Sequence, residues 1–389
     1  MVKAHIEIQD LNKRFGKLYA IQDFNLEVER GEYVVILGPT GAGKTTLLKL
    51  IAGLVKPTSG NIYKSGLLLN NIPPEKRNLA YLPQTSDYSL FPYMNVWENT
   101  IFSPKMKGDK PWEEVIALGD EILDLVDLRT RFDAYPDELS GGMMQRVALA
   151  RAIAADADVF LLDEPLRALD ARLRIRLRTE IRKLVTDLEK TTFHVTHDQE
   201  EAIAVADRVL IINEGKLVQF DIPEEIYDYP STMFSAYFFG TSNLIPATKI
   251  RKENETNGKL VQAGEYELAI KPKDIVRSLD EDEVYVDEEL VLAVKAEKIH
   301  VTPSIRTEKK QHPKVNILEG TVEQTFFLGK WANLVVKVEG FSKKELHVII
   351  PSLDLHQYDV GTSVRLEILP ENISYFVEPW EEVKKLEMT

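Results

Sequence analysis

The sequence contains no cysteine, so every site or scaffold that depends on a thiol is excluded. Disulfide frameworks, thiolate zinc sites and cysteine nucleophiles are therefore ruled out. No apolar run approaches the roughly 18 residues that a transmembrane helix needs, and the N-terminus lacks the apolar core of a secretory signal. An excess of positive charge is also missing, since the net charge is −14. We therefore expect a cytoplasmic protein with no nucleic-acid partner.

Two regions of different character divide the 389 residues. Residues 1–240 alternate short apolar runs with helical stripes, which is typical of an α/β domain. In residues 241–389 helical stripes nearly disappear and short strand-like segments follow one another. The pattern predicts an α/β domain followed by a small all-β domain, which we expect to be a barrel.

A glycine-rich segment at residues 38–45 matches the pattern G-x-x-x-x-G-K-[ST] between a predicted strand and a helical run. Glycines allow successive backbone N–H groups to point at phosphate oxygens, and the helix N-terminus adds partial positive charge. Lys44 is expected to reach the β- and γ-phosphates, and the Thr45 hydroxyl to bind Mg²⁺. The predicted nucleotide-binding residues of this segment are Gly38, Pro39, Thr40, Gly41, Ala42, Gly43, Lys44, Thr45 and Thr46.

Two acids, Asp163 and Glu164, end the apolar run at residues 159–162. The carboxyl ends of strands are where open α/β sheets place their ligands. Asp163 is predicted to hold Mg²⁺, which leaves Glu164 to polarise the attacking water. This pair alone is weak evidence, but downstream of a phosphate-binding loop it becomes strong.

A second glycine-containing helix start lies between these segments, at Ser140-Gly141-Gly142. Ser140 is a candidate N-cap, and the two glycines leave backbone N–H groups exposed at the positive end of the helix. By itself the segment is also compatible with an ordinary capped helix. Two helix starts suited to phosphate in one chain require a further explanation.

The order of these motifs resembles that of the ATP-binding subunit of ABC transporters. Residues 38–46 resemble its Walker A motif, 139–142 its signature motif and 159–163 its Walker B motif. The resemblance implies catalytic roles for Glu164, His197, Gln84 and Lys44, with His197 as the switch histidine. It implies that Gln84, in the Q-loop, binds the metal together with Thr45 and Asp163. It further implies that Phe15 stacks on adenine and that Asp170, in the D-loop, contributes to nucleotide binding.

The same resemblance implies a P-loop ATPase with a helical subdomain at about 87–155 and a regulatory β-domain of the oligosaccharide-binding type. Importers of sugars, polyamines, ferric iron and oxyanions carry such domains. ATP and Mg²⁺ are the implied cofactors. Two identical chains would form two sites, each closed by Ser140, Gly141 and Gly142 of the second ATP-binding subunit. Transmembrane permease subunits and, indirectly, an extracytoplasmic solute-binding protein are the other implied partners, at the cytoplasmic face of the cell membrane.

Two other functions are alternatives to that of an importer subunit. A soluble ABC ATPase acting on nucleic acid or ribosomes usually carries coiled-coil insertions, zinc motifs or a second phosphate loop, and the sequence contains none. A P-loop phosphotransferase would give the Ser-Gly-Gly helix no role. Two local questions stay open: Arg167 replaces a small residue of the family pattern without an explanation, and the aromatic residues after Gln84 fit a small core and a partner groove equally well.

Overall fold

A computed structural model describes residues 4–84, 90–252, 259–271, 286–304 and 315–387. It divides into two compact units, Met1–Pro223 and Glu224–Thr389. This boundary lies before the residue 240 expected from the sequence, because a helix that follows it packs with the second unit. Met233 and Ala236 of that helix share an apolar cluster with Leu244 and Val291. Residues 87–89, at the start of the predicted helical subdomain, lie outside the described residues.

The first unit combines two sheets with flanking helices. Its strands are β1 (Ile6–Phe15), β2 (Leu18–Val28), β3 (Tyr33–Leu37), β4 (Ser59–Lys64), β5 (Leu67–Leu68), β6 (Leu79–Leu82), β7 (Val159–Asp163), β8 (Thr191–Val195), β9 (Arg208–Asn213) and β10 (Lys216–Asp221). Its helices are α1 (Lys44–Ala52), α2 (Val96–Lys107), α3 (Trp112–Leu125), α4 (Gly141–Ala154), α5 (Ala171–Asp187) and α6 (Gln199–Val205).

The central sheet of this unit has the strand order β10-β9-β3-β8-β7-β6. All neighbouring pairs from β9 to β6 are parallel, and only β10 runs antiparallel to β9. Every residue of β3, β7 and β8 is buried, as expected for parallel strands covered on both faces. Because the chain visits these strands out of sequence order, segments far apart in the sequence meet at the carboxyl edge of the sheet.

The second sheet of the unit is antiparallel in all its recorded pairs and has the order β2-β1-β4-β5. Its inner residues and α1 share one apolar core with the central sheet, as illustrated by Ile8, Phe24, Leu47 and Phe193. This packing fixes α1, and therefore the phosphate-binding segment before it, against two sheets at once.

A buried arginine caps the carboxyl end of α1. Arg77 donates its Nη1 to the carbonyl oxygens of Leu50 and Ile51, at 3.2 and 2.7 Å. Its Nε and Nη2 donate to the carbonyls of Ile72 and Leu69, at 2.8 and 2.7 Å. Burial lowers the pKa of Arg77, so this ion is retained only because its donors are satisfied.

Replacing Arg77 by Met is expected to lower the free energy of unfolding by about 3–5 kcal/mol, because four backbone carbonyl groups lose a charged donor inside the protein. The unfolding midpoint in a thermal melt should fall by roughly 10 °C. The matched control is Lys76→Met, which removes a neighbouring cation from an exposed position. An unchanged midpoint for the Arg77 variant would show that the cap does not stabilise the helix.

The second unit contains two five-stranded sheets that share one apolar core. Its strands are β11 (Ser242–Lys252), β12 (Lys259–Ala263), β13 (Tyr266–Ile270), β14 (Val286–Lys295), β15 (Ile299–Pro303), β16 (Asn316–Leu328), β17 (Trp331–Lys337), β18 (Glu345–Pro351), β19 (Ser363–Ile368) and β20 (Ile373–Phe376), and the helices are α7 (Pro223–Asp228), α8 (Met233–Phe238) and α9 (Trp380–Glu387). The strand orders are β13-β12-β11-β14-β20 and β15-β19-β16-β17-β18, and the pairs are antiparallel. The predicted succession of an α/β domain and a β-domain is confirmed.

Candidate nucleotide-binding and catalytic site

The polar residues predicted for the site follow four neighbouring parallel strands at one edge of the central sheet. The glycine-rich loop follows β3, and His197 follows β8. Asp163 ends β7 opposite Val195, and Gln84 comes two residues after the end of β6. The structure therefore brings to one edge segments that are far apart in the sequence, from the loop that begins at Gly38 to His197.

The loop between β3 and α1 depends on its glycines. Gly43 is the N-cap of α1 with φ +109°, and a Cβ atom on it would lie 2.4 Å from the Ala20 carbonyl oxygen. A side chain is therefore excluded both by the backbone conformation and by the neighbouring strand. The Lys44 ammonium donates to the carbonyl oxygens of Gly38 and Pro39, at 2.6 and 2.8 Å. This places a positive charge within the loop, at the beginning of a helix, where an anion is favoured.

The electrostatic environment of Lys44 also fits an anion partner. Burial lowers the pKa of Lys44, although the charges of Glu164 and Asp163 act in the opposite direction. A phosphate beside the ammonium would add further negative charge and stabilise the protonated lysine. The loop is therefore suited to bind phosphate. On binding, Lys44 would exchange its hydrogen bonds to the two carbonyl oxygens for a charge-assisted hydrogen bond to a phosphate oxygen.

Asp163 provides the test of whether this site fits a cation. Its side chain is 1% exposed, and both carboxylate oxygens are buried without a hydrogen-bond partner. Burial above all, and then the charge of Glu164, raises the pKa of Asp163, although the nearby Thr45 hydroxyl and the charges of Lys49 and Lys44 lower it. The Thr45 hydroxyl is close, but its geometry does not make it a hydrogen-bond donor to either oxygen. Two buried acceptors without donors are suited to a hard cation such as Mg²⁺. Among the described residues no cluster of three His, Cys, Asp or Glu could hold a metal, so Asp163 would need help from hydroxyl, amide and phosphate oxygens.

Glu164 is held by both oxygens of its carboxylate. His197 Nε2 lies 2.7 Å from Oε1, and Arg167 Nη1 donates to Oε2 at 2.9 Å. The residue has φ +52°, is 6% exposed, and donates its backbone N–H to the Val195 carbonyl at 2.9 Å. The left-handed backbone turns the carboxylate back toward β8, which brings it within reach of His197.

Gln145 is a functional residue that the sequence analysis missed. It lies in α4, and its Nε2 donates to the Glu164 carbonyl at 2.8 Å. Its Oε1 accepts from the backbone N–H of Ala168 at 2.9 Å. The side chain thus joins the signature helix to the segment that carries Glu164. A usable signal was present, because Gln145 lies one helical turn before Ala148 and Leu149 on a buried face.

Two hydrogen bonds to Glu201, which sequence reasoning also missed, set the position of His197. The Thr196 hydroxyl donates to Glu201 Oε2 at 2.6 Å, inside the protein. Asp198 caps α6 by accepting from the backbone N–H of Glu201 at 3.0 Å. These contacts on both sides fix the backbone of His197, whereas its own side chain is 48% exposed.

The remaining predicted residues are not joined to the phosphate-binding loop. Ser140 is the N-cap of α4, as predicted, and accepts from the Met143 N–H at 3.4 Å; Asp170 caps α5 by accepting from the Leu173 N–H at 3.1 Å. The Phe15 ring is 50% exposed, and Gln84 is exposed. In the described part of the chain, no recorded hydrogen bond or ion pair connects Ser140, Gly141, Gly142, Asp170, Phe15 or Gln84 with the loop.

The aromatic segment after Gln84 divides between the two alternatives. Leu90 is buried, and Phe91 packs on Phe102 with a centroid distance of 4.4 Å, so these residues belong to a small core. Tyr93 is 93% exposed and remains available for a partner. Tyr88 lies outside the described residues.

These features define a P-loop nucleoside triphosphatase. They are the strand, glycine-rich loop and helix in succession, and the aspartate and glutamate buried at the end of a neighbouring strand. The family profile described as "ABC transporter" matches residues 21–167. The spermidine/putrescine import ATP-binding protein of Thermotoga maritima is 35% identical over 346 residues, which cover 88% of this chain and 90% of that protein. The sulfate/thiosulfate import ATP-binding protein of Synechococcus elongatus is 41% identical over 280 residues, covering 71% and 78%.

A solved structure agrees with these relatives. It is described as the dimeric post-hydrolysis state of an ATP-binding cassette bound to ADP and Pi, and it is 29% identical with a TM-score of 0.52. The match covers 56% of this chain and 98% of that one. The present chain belongs to the ABC transporter family, among the ATP-binding subunits of the import type. It is an ATPase, which confirms the predicted family, function and enzyme class.

No helix in the described ranges combines the length and the apolar character that crossing a bilayer requires.

Proposed function

We propose that this chain hydrolyses ATP as a homodimer at the cytoplasmic face of the cell membrane and thereby powers import of a small solute through transmembrane permease subunits. An extracytoplasmic solute-binding protein would deliver the solute. The observation that carries the proposal is the separation of two glycine-rich helix starts, one beside Asp163 and Glu164 and the other at Ser140. A single chain offers no contact between them among its described residues, and a second chain would complete each site.

In this proposal the loop at residues 38–46 binds the phosphates, and Lys44 leaves its carbonyl partners to pair with them. Thr45, Asp163 and Gln84 would hold Mg²⁺, which when bound neutralises phosphate charge. The exposed Phe15 ring lies at the end of the β1–β2 hairpin, and Ala20 of the same hairpin touches the loop, which supports an adenine-stacking role for Phe15.

Glu164 orients the attacking water and accepts its proton in the proposed reaction. His197, 2.7 Å from that carboxylate, helps to orient the water and contacts the γ-phosphate. Gln84, exposed after β6, senses the γ-phosphate and transmits closure to the permease. These roles require water to be positioned on the side of the γ-phosphate opposite to the bond that breaks.

The second subunit closes over this arrangement in the proposed dimer. The backbone N–H groups of Ser140, Gly141 and Gly142 begin α4 and would contact the γ-phosphate bound by the other chain. Asp170, next to the interface, would support the closed form. Closed dimers are then favoured by ATP and released after hydrolysis, because only the triphosphate contacts both chains. Met143 is compatible with this role, since its contact with Ser140 uses the backbone N–H.

The relatives named above act on different solutes, a polyamine pair in one and sulfate or thiosulfate in the other. Similar ATP-binding subunits thus belong to importers of chemically different solutes. We infer that the chain described here recognises ATP and its protein partners, and that the choice of solute lies in those partners.

The decisive test of the two-chain site is Ser140→Arg, which introduces a long cation where the second chain must approach. Steady-state ATPase activity is expected to fall at least about 100-fold, because the interfacial donors to the γ-phosphate are displaced. Binding of a fluorescent ATP analogue to the loop of a single chain should persist. Ser140→Thr, which retains a capping hydroxyl, serves as the control and should keep most activity. Full activity of the arginine variant would instead support a phosphotransferase-like, single-chain site.

A further inference from the structure

The position of Arg167 gives this residue a role that the family resemblance does not supply. Its guanidinium Nη1 lies 2.9 Å from Glu164 Oε2, and the other carboxylate oxygen is paired with His197. The backbone N–H of Arg167 also donates to the Glu164 carbonyl at 3.4 Å. This short turn after β7 keeps the guanidinium within reach of the carboxylate.

The two partners of this ion pair are exposed to very different degrees. The Arg167 side chain is 68% exposed, whereas that of Glu164 is 6% exposed. In the described part of the chain, the only recorded side-chain hydrogen bond of Arg167 is the one to Glu164. The guanidinium can therefore move into water without breaking another recorded hydrogen bond. While it is in place, it occupies one oxygen of the Glu164 carboxylate, which is expected to face the attacking water.

The ion pair between Arg167 and Glu164 is weak. Since the guanidinium is largely exposed, solvent screens the pair and its strength is modest. The contact has the properties of a weak, releasable restraint and not of a structural anchor.

We propose that Arg167 is a positioning residue that restrains Glu164 and slows the basal ATPase reaction of the chain until the contact is released. This inference rests on the proposed role of Glu164 as the group that activates water. It applies to the chain in the absence of its other subunits, where slow hydrolysis avoids turnover without transport.

The test compares Arg167→Ser with the parent chain in steady-state ATPase assays without other subunits. We expect kcat to rise about two- to fivefold, in line with the loss of one partly exposed ion pair. The KM for ATP should change less than twofold, because Arg167 contacts the carboxylate and not the phosphate-binding loop. Arg167→Lys should give an intermediate kcat, since an ammonium keeps the charge but lacks the planar guanidinium. Arg172→Ser, which removes an exposed arginine at the start of α5, should leave kcat unchanged.

A second comparison separates an effect through the carboxylate from a structural one. In a Glu164→Gln background, adding Arg167→Ser should change neither ATP affinity nor the unfolding midpoint. A change in either, or an unchanged or lower kcat for Arg167→Ser alone, would overturn the restraint. If Glu164→Gln by itself hydrolyses ATP at the parent rate, the proposed role of Glu164 fails as well, so the two failures are distinguishable.

Discussion

Glu164→Gln is expected to lower kcat for ATP about a thousandfold. The amide has nearly the same shape as the carboxylate and can still contact His197, but it cannot accept the proton of the attacking water. ATP binding should persist, because the phosphate-binding loop and Lys44 are unchanged. Size-exclusion chromatography should therefore detect a dimer that persists in ATP and magnesium and is absent without nucleotide.

The matched control for this experiment is Glu200→Gln, which removes an exposed carboxylate from the first turn of α6. It should leave both kcat and the oligomeric state unaltered. Turnover of Glu164→Gln near that of the parent would mean that another group activates water. A variant that binds ATP but remains monomeric at high concentration would contradict the two-chain site.

Asp163→Asn should change activity and stability in opposite directions. Activity is expected to fall about a thousandfold, because a neutral amide holds Mg²⁺ poorly and the phosphate charge is then less well neutralised. The nucleotide-free chain should nevertheless become more stable by about 1–2 kcal/mol, since a buried carboxylate without hydrogen-bond partners is lost. Thermal melts should show a midpoint raised by roughly 3–6 °C, and a magnesium-dependent increase in ATP affinity should disappear.

The stability gain of Asp163→Asn should increase with pH, because only the charged form of Asp163 is unfavourable in the folded chain. Burial raises the pKa of Asp163, so the folded chain favours the protonated form and loses stability as pH rises through that pKa. The advantage of Asn should therefore be largest near neutral pH and narrow as pH falls toward about 4. A gain that is constant across this range would exclude the charge as its cause.

Asp156→Asn should change stability in the opposite direction to Asp163→Asn, because the pKa of Asp156 is lowered and not raised. Hydrogen bonding to Lys190 lowers the pKa of Asp156, and Lys110 also pairs with it. The charged form is therefore favoured by folding, and its stabilising effect is lost as pH falls through the folded-state pKa. Substituting Asn should lower the unfolding midpoint at neutral pH and have less effect in acid. Similar behaviour of both variants would show that local charge does not explain either result.

Several features could be predicted from the sequence because neighbouring residues determine them. The turn into α1 needs glycine at Gly43 and Lys44 directly after it, and Ser140 caps α4 through a residue three positions on. Apolar runs identify β3 and β7 as buried strands, and alternating short strands identify the second unit as all-β. Motif order then identified the family, which the comparisons confirm.

Other features arise only when distant segments pack together. The strand order β3-β8-β7-β6 brings His197 to Glu164, and no local pattern specifies that order. Arg77 caps the carboxyl end of α1 through backbone carbonyls, which carry no sequence signal. Gln145 holds the Glu164 segment from α4, and the sequence shows only its place on a buried helix face, not its partners. The sequence by itself determined which groups are suited to bind phosphate and which acids follow the neighbouring strand, because those depend on local backbone geometry and residue chemistry. Tertiary structure alone decided which groups touch, how Arg167 restrains the glutamate and which acid is left without a partner, because burial and long-range pairing are properties of the folded chain.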